Sequence, residues 1–193
     1  MRLFKRIQYF LSFPMELLYM RSNKETKALI DSDIAEMNRR CKTNNKGLLY
    51  WLVYRQPYRN LFYYRIPKAK RFRWLLPEYP LFSINVRDGI GKNAFVLNHP
   101  FATRLNAQRI GDNFTCCHLT TLGNGKHGRN DLVPTIGNNV SLGVNVTIVG
   151  KVTIGDNVTI GAGSVVVNDI PSNCVAVGNP ARVVKYITGP AES

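Results

Sequence analysis

The chain has 193 residues, 45% of them hydrophobic and 20% charged, with a formal net charge of +14. That length suits one sizeable domain with an appendage, and 4 cysteines without a CxxC pair give no reason to expect a disulfide scaffold or zinc site. The charge is uneven: residues 1–83 hold 17 Lys/Arg against 6 Asp/Glu, and residues 84–193 hold 9 against 6, which places a boundary near Ser83.

Residues 1–20 mix Leu3, Phe4, Ile7, Phe10, Leu11, Leu17 and Leu18 with basic residues. Gln8, Ser12, Pro14 and Glu16 interrupt the apolar stretch, so it is too short to span a bilayer. It also lacks a small-x-small cleavage site, and a cytoplasmic protein is expected. Ser22-Asn23-Lys24-Glu25 fits a capping box, opening a helix through about Arg40 with Ile30, Ile34 and Met37 on one face. Gly47 separates that helix from the apolar run Leu48–Tyr54, which ends before Pro57. Two readings of residues 1–83 compete. One is a helical cap against the rest of the chain or another subunit. The other is contact with an anionic membrane surface at the inner face, aided by Lys68, Lys70, Arg71, Arg73 and Trp74. Nucleic acid ranks last, because the sequence has no recognition helix, zinc-finger spacing or RNP-type aromatic motif.

From residue 136 to 165 the chain repeats every six residues: IGNNVS, LGVNVT, IVGKVT, IGDNVT, IGAGSV. A branched aliphatic opens each step, and Val140, Val146, Val152, Val158 and Ser164 sit four places later. A helical period does not explain this, nor does simple alternation. A parallel β-helix does, with three steps per turn and the openers pointing into a prism. Neighbouring coils then lie about 4.8 Å apart. Residues 84–89, 90–96, 97–102, 103–109, 110–115 and 116–121 divide the same way, two of these steps carrying one extra residue. Cys116 then points inward and Cys117 outward. The polar, Gly- and Asn-rich stretch 124–134 reads as a loop ejected from the coil.

There are 3 histidines. His99 and His118 are each the third residue of a step, one turn apart on the same face, so they are expected to stack beside the ejected loop. His127 lies within it. Close stacking disfavours charging both rings and keeps one available as a neutral base.

These residues carry a resemblance. The chain from 84 to 187 resembles the hexapeptide-repeat acetyltransferases, and within them serine acetyltransferase and its polysaccharide-modifying relatives. IGDNFTCCHLTTLGNGK, residues 110–126, is similar to that group's coil leading to its TLGGTGK loop. VTIGAGSVVVNDIPSNCVAVGNPARVVK, residues 158–185, is similar to its closing coils and G-x-P-A-R tail, with Pro180 ending the coil. The resemblance implies a mainly β chain: a left-handed parallel β-helix over 84–187, an α-helical segment over 1–83 and a flexible tail over 188–193. It implies transfer of acetyl from acetyl-CoA to a hydroxyl, with no metal and a homotrimeric assembly.

By the same resemblance His99, in Leu97-Asn98-His99, is the catalytic base. His118, Asp88 and Asn85 are candidates to support it, and Asn98 to contact the acceptor. Thr121, Gly123, Gly143, Val144, Gly161 and Ala162 match the coenzyme groove, with Lys126, Arg182 and Lys185 for its phosphates. Asn98 stands where serine acetyltransferases have aspartate, and Leu132-Val133-Pro134 where they have R-H-P. Those positions hold a zwitterionic amino acid, whose charges need partners once desolvated. The expected acceptor is therefore a sugar hydroxyl of a surface polysaccharide or its lipid-linked precursor. Serine acetylation, a three-histidine zinc site for carbonic anhydrase chemistry, and a non-catalytic scaffold are the alternatives.

Overall fold

This computed structural model describes residues 2–98, 100–126 and 131–187, with 2–6 and 95–98 described as backbone alone. The chain forms two compact units, one ending at Pro80 and the next beginning at Leu81. The tail 188–193 lies outside the described residues.

The first unit is helical. Helices α1 (Arg2–Leu11) and α2 (Phe13–Met20) break at Ser12, whose hydroxyl donates to the Tyr9 carbonyl at 2.6 Å. Helix α3 (Lys24–Arg40) is capped by Asn23, whose Oδ1 accepts from the Thr26 amide at 2.8 Å. Ser22 of the expected capping box turns back instead, donating to Leu18 O at 2.8 Å and finishing α2. Ile30 and Met37 are buried as the pattern predicts, with Asp33 between them, while Ile34 is half-buried.

The apolar run is helix α4 (Leu48–Tyr54), which buries Leu48, Trp51, Leu52 and Val53. Helix α5 (Gln56–Arg65) buries Tyr58, Leu61, Phe62 and Tyr63, and a 3-10 turn follows at Pro67–Phe72. Two arginines make this core possible. Arg59 donates to the carbonyls of Leu52 (2.6 Å) and Pro77 (3.0 Å), supplying a partner that the end of α4 lacks. Arg65 makes two bonds to Asp33, at 3.1 and 3.2 Å, with both side chains almost wholly buried. Removing one partner strands a buried charge. Arg65→Ala is expected to cost about 3–5 kcal/mol in denaturant unfolding. Asp33→Leu with Arg65→Met together should recover most of that loss. No helix among the described residues is long and apolar enough to cross a membrane.

The second unit is a three-faced coil. Face one stacks Phe82–Val86, Thr103–Ala107, Thr121–Gly123, Thr147–Val149 and Val165–Val166, all parallel. Face two stacks Arg109–Ile110, Thr135–Ile136 and Thr153–Ile154, extended by bridges at Ile90 and Ile170. Face three stacks Phe95–Asn98, Thr115–Cys117, Ser141–Leu142, Val158–Ile160 and Cys174–Gly178. The strand Ala181–Tyr186 then returns antiparallel along the last of these.

The predicted openers form the core. Ile110, Ile136 and Ile154 align on face two, and Cys116, Leu142 and Ile160 on face three, all buried. Each fully buried aliphatic contributes roughly 1.5–3 kcal/mol. One step was cut in the wrong place. Leu105, not Thr103, aligns with Ile84 and Leu122. Thr103, Leu105 and Ala107 all face inward from one five-residue strand, so two residues at each end obscure the six-residue count.

The Ile-Gly-x-Asn phrase has a separate cause for each letter. A Cβ on Gly137 would lie 2.5 Å from Asp156 Oδ1 and 2.8 Å from the Gly155 backbone, so adjacent coils require glycine there. The next side chains accept backbone amides from the coil before. Asn138 Oδ1 takes the Asp112 amide at 2.9 Å, and Asp156 Oδ1 the Asn138 amide at 2.6 Å. Asn93, Asn113, Asn139, Asn157 and Asn173 then turn the corner with φ of 55–58°, a conformation asparagine tolerates. Their side-chain amides form a ladder of bonds at 2.7–2.8 Å. The ladder measures coil length as 20, 26, 18 and 16 residues in turn. The coil of 26 contains the loop 124–134, which leaves the corner between faces one and two.

Candidate active site

Three stacked coils place several of the expected residues on the corner between faces three and one. Asn145 donates its amide to the His118 carbonyl at 3.0 Å, and Gly163 to that of Val144 at 2.8 Å. His118, Val144 and Ala162 are therefore equivalent residues of successive coils. Cys117, Gly143 and Gly161 form the column beside them, because Cys116, Leu142 and Ile160 are in register. A Cβ on Gly143 would lie 2.7 Å from the Ala162 amide, so this column is flat because the coils touch. Ala162 and Gly163 are exposed, and His118 and Val144 half-buried.

The rung below is irregular. Asn98 pairs with Cys117, but the corner bond that corresponds to His118 comes from the Leu119 amide to Phe101 O, at 2.9 Å. Between those landmarks the earlier coil carries two residues, 99 and 100, that the next coil lacks. A register shift between Phe95 and Asn98 adds a third. His99 itself lies outside the described residues, as does His127. The step count gave His99 and His118 equivalent positions. The pairing gives equivalence to Asn98 and Cys117 and ends there.

The other candidates occupy face one and its far edge, or face three. Thr121 is one position into face one, and its amide donates to Val146 O at 2.9 Å. Gly123 is buried at the far edge, where its carbonyl accepts from the Gly150 amide at 3.1 Å. Lys126 is exposed beyond it, at the root of the loop. That root lies at the opposite end of the face-one strand Thr121–Gly123 from the His118 corner. Asn85 lies on face one and donates to Asn106 Oδ1 at 3.2 Å. The Asp88 carboxylate accepts from Gln108 Nε2 at 2.6 Å. Neither Asn85 nor Asp88 is on the His118 corner. Arg182 and Lys185 are exposed on the returning strand, opposite Val177 and Val175.

Arg104 was not anticipated. It is exposed on face one, in register with Thr121 and Ser83. Its signal was hidden by the misplaced step at Thr103. Cys116 is buried and its thiol is pushed well up by desolvation, so it serves as a small apolar residue rather than a nucleophile. Among the described residues no three His, Cys, Asp or Glu side chains gather as a metal site.

A triangular coil with this repeat is a hexapeptide-repeat architecture, and residues 134–168 match the bacterial transferase hexapeptide model of six repeats. The chain has the left-handed parallel β-helix fold of the solved structures that it resembles. It is 44% identical over 103 residues to the Escherichia coli (strain K12) protein named as the colanic acid biosynthesis acetyltransferase WcaB. That match covers 53% of this chain and 62% of the relative's own length. The solved soybean serine acetyltransferase is 28% identical with a TM-score of 0.66, covering 93% of this chain and 83% of that one. The Neisseria gonorrhoeae serine acetyltransferase gives a TM-score of 0.71 over 96% of this chain and 80% of that one. At 24% identity this second likeness is one of fold.

Proposed function

We propose that this chain is an O-acetyltransferase that moves acetyl from acetyl-CoA to a hydroxyl of a sugar, part of a surface polysaccharide or its lipid-linked precursor. The observation that carries the reading is the loop's return. Val133 is only 2% exposed and Leu132 half-buried, so this segment offers apolar side chains where an amino-acid acceptor would need charge partners. The likeness to a protein named for colanic acid biosynthesis supports the same acceptor class. Acetyl-CoA supplies the thioester carbonyl, whose C–S bond breaks to release coenzyme A as the new ester C–O bond forms, and the exposed Ala162 and Gly163 leave room for its thin arm along the corner. Arg182, Lys185 and Lys126 are the cations for its phosphates. His99 takes the acceptor's proton as the hydroxyl attacks, a role suited to an imidazole near neutrality. Thr121, Gly123, Gly143, Val144, Gly161 and Ala162 line the groove for that arm and Asn98 contacts the acceptor, so that an encounter becomes an oriented reaction. The assembly is a homotrimer with the groove between neighbouring subunits. The reaction takes place on the inner face of a membrane, where a lipid-linked acceptor would be presented.

Serine acetylation is the second reading, favoured by the likeness to the soybean enzyme over most of both chains. One assay separates the two. Release of free coenzyme A is followed with serine, nucleotide sugars and polysaccharide fragments as acceptors. Turnover with the sugars and none with serine is expected. Efficient serine acetylation with inert sugars would overturn the proposal.

A further inference from the structure

The first unit keeps large apolar side chains out in solvent. Phe10 is 81% exposed, Trp74 74% and Phe13 52%. Phe13 and Met20 are two turns apart, on the same face of α2, and Met20 is also exposed. A folded unit with its own core has no internal reason to present these groups to water. The basic residues lie on the neighbouring element. The turn Pro67–Phe72 packs against α2, and exposed Trp74 follows exposed Arg71 and Arg73 directly in the chain, so a ring and cations stand side by side. Lys68, Lys70, Arg71 and Arg73 are all exposed. Among the described residues none of these four side chains has a hydrogen-bond or ion-pair partner. By contrast, Arg39 and Arg40 elsewhere in the unit are tied to Glu36.

We infer that the α1–α2 face and the basic turn together form a docking surface for an anionic phospholipid bilayer. The chemistry fits both halves of such an interface. Phenyl and indole rings settle at the headgroup level, and unpaired cations meet the negative surface. A second copy of the chain would satisfy the rings but would bring the four cations against their own kind. The excess of 17 Lys/Arg over 6 Asp/Glu in residues 1–83 therefore favours the lipid. This deepens the membrane-side placement proposed above. It is read without turnover, so the acetyl-transfer reading and this one can fail separately.

The test is co-sedimentation of the full chain with phosphatidylcholine vesicles, with and without phosphatidylglycerol. Binding is expected only to the anionic vesicles and should weaken as salt rises. Lys68→Glu, Lys70→Glu, Arg71→Glu and Arg73→Glu combined should lower partitioning by on the order of 100-fold or more. Phe10→Ser with Trp74→Ser should also lower it, at both low and high salt. Thermal melts of both variants check that the unit stays folded. If a variant unfolds, Phe10→Tyr and Lys70→Gln give milder steps in the same directions. Binding to neutral vesicles alone, or to none, would overturn the inference. So would an assembly without lipid binding that Phe10→Ser and Trp74→Ser dissolve, since the occupant would then be a second copy.

Discussion

Replacing His99 by alanine is expected to lower acetyl transfer by about 10²–10⁴-fold, the range one positioned general base supplies. The loss should fall on kcat, because the imidazole acts as the hydroxyl attacks and holds neither coenzyme nor acceptor beforehand. Coenzyme A affinity, read by calorimetry, should remain within a few fold. His118→Ala is the informative partner. His118 sits on the corner column with Val144 and Ala162, so its loss should alter KM for coenzyme more than kcat. If His99→Ala retains full activity and His118→Ala abolishes it, the base is on the coil after the one proposed.

Within the coil, the largest effect on stability is expected at a glycine. Gly137→Val would drive a side chain into the Asp156 carboxylate, 2.5 Å from the Cβ position, and into the Gly155 backbone. Backbone cannot swing aside as a flexible side chain can, so the two coils must part. The expected cost is about 3 kcal/mol or more, seen as a fall in Tm together with lost amide protection across 136–157. Asn139→Ala provides a graded comparison. It removes two ladder bonds, to Asn113 and Asn157, and leaves alanine at a φ of 55°. That should cost roughly 1–3 kcal/mol without separating the coils. A Gly137→Val protein with wild-type Tm would mean that the coils are not stacked as closely as described.

Much of the coil was legible because its period belongs to no other regular structure. The openers of 136–165 are in the core, and face one ends at Gly123, where the polar run begins. The apolar run Leu48–Tyr54 is helix α4 to the residue. Three features escaped for physical reasons. The step at Thr103 was misread because a five-residue strand points three residues inward, and a six-residue template allows fewer. The extra residues 99 and 100 appear only when Asn98 is paired with Cys117 and Phe101 bonded to Leu119, partners separated by most of a turn. The Asp33–Arg65 pair joins residues 32 apart, and no local pattern announces a buried charge. Asparagines stand at the fourth place of IGNNVS, LGVNVT and IGDNVT. Their meaning depended on the backbone sign at the corner, which periodicity of apolar residues does not report.

The returning strand Ala181–Tyr186 has a consequence for solubility. A stack of parallel rungs ends in a row of unsatisfied amides and carbonyls, the template on which fibrils grow. Here Cys174–Gly178 spends its free edge on a strand of opposite direction, so a further parallel rung has no rail to continue on. Lys185 and Arg182 on that strand add like charge that repels an approaching edge. Face three of the second unit thus closes on an antiparallel strand instead of an open parallel rung.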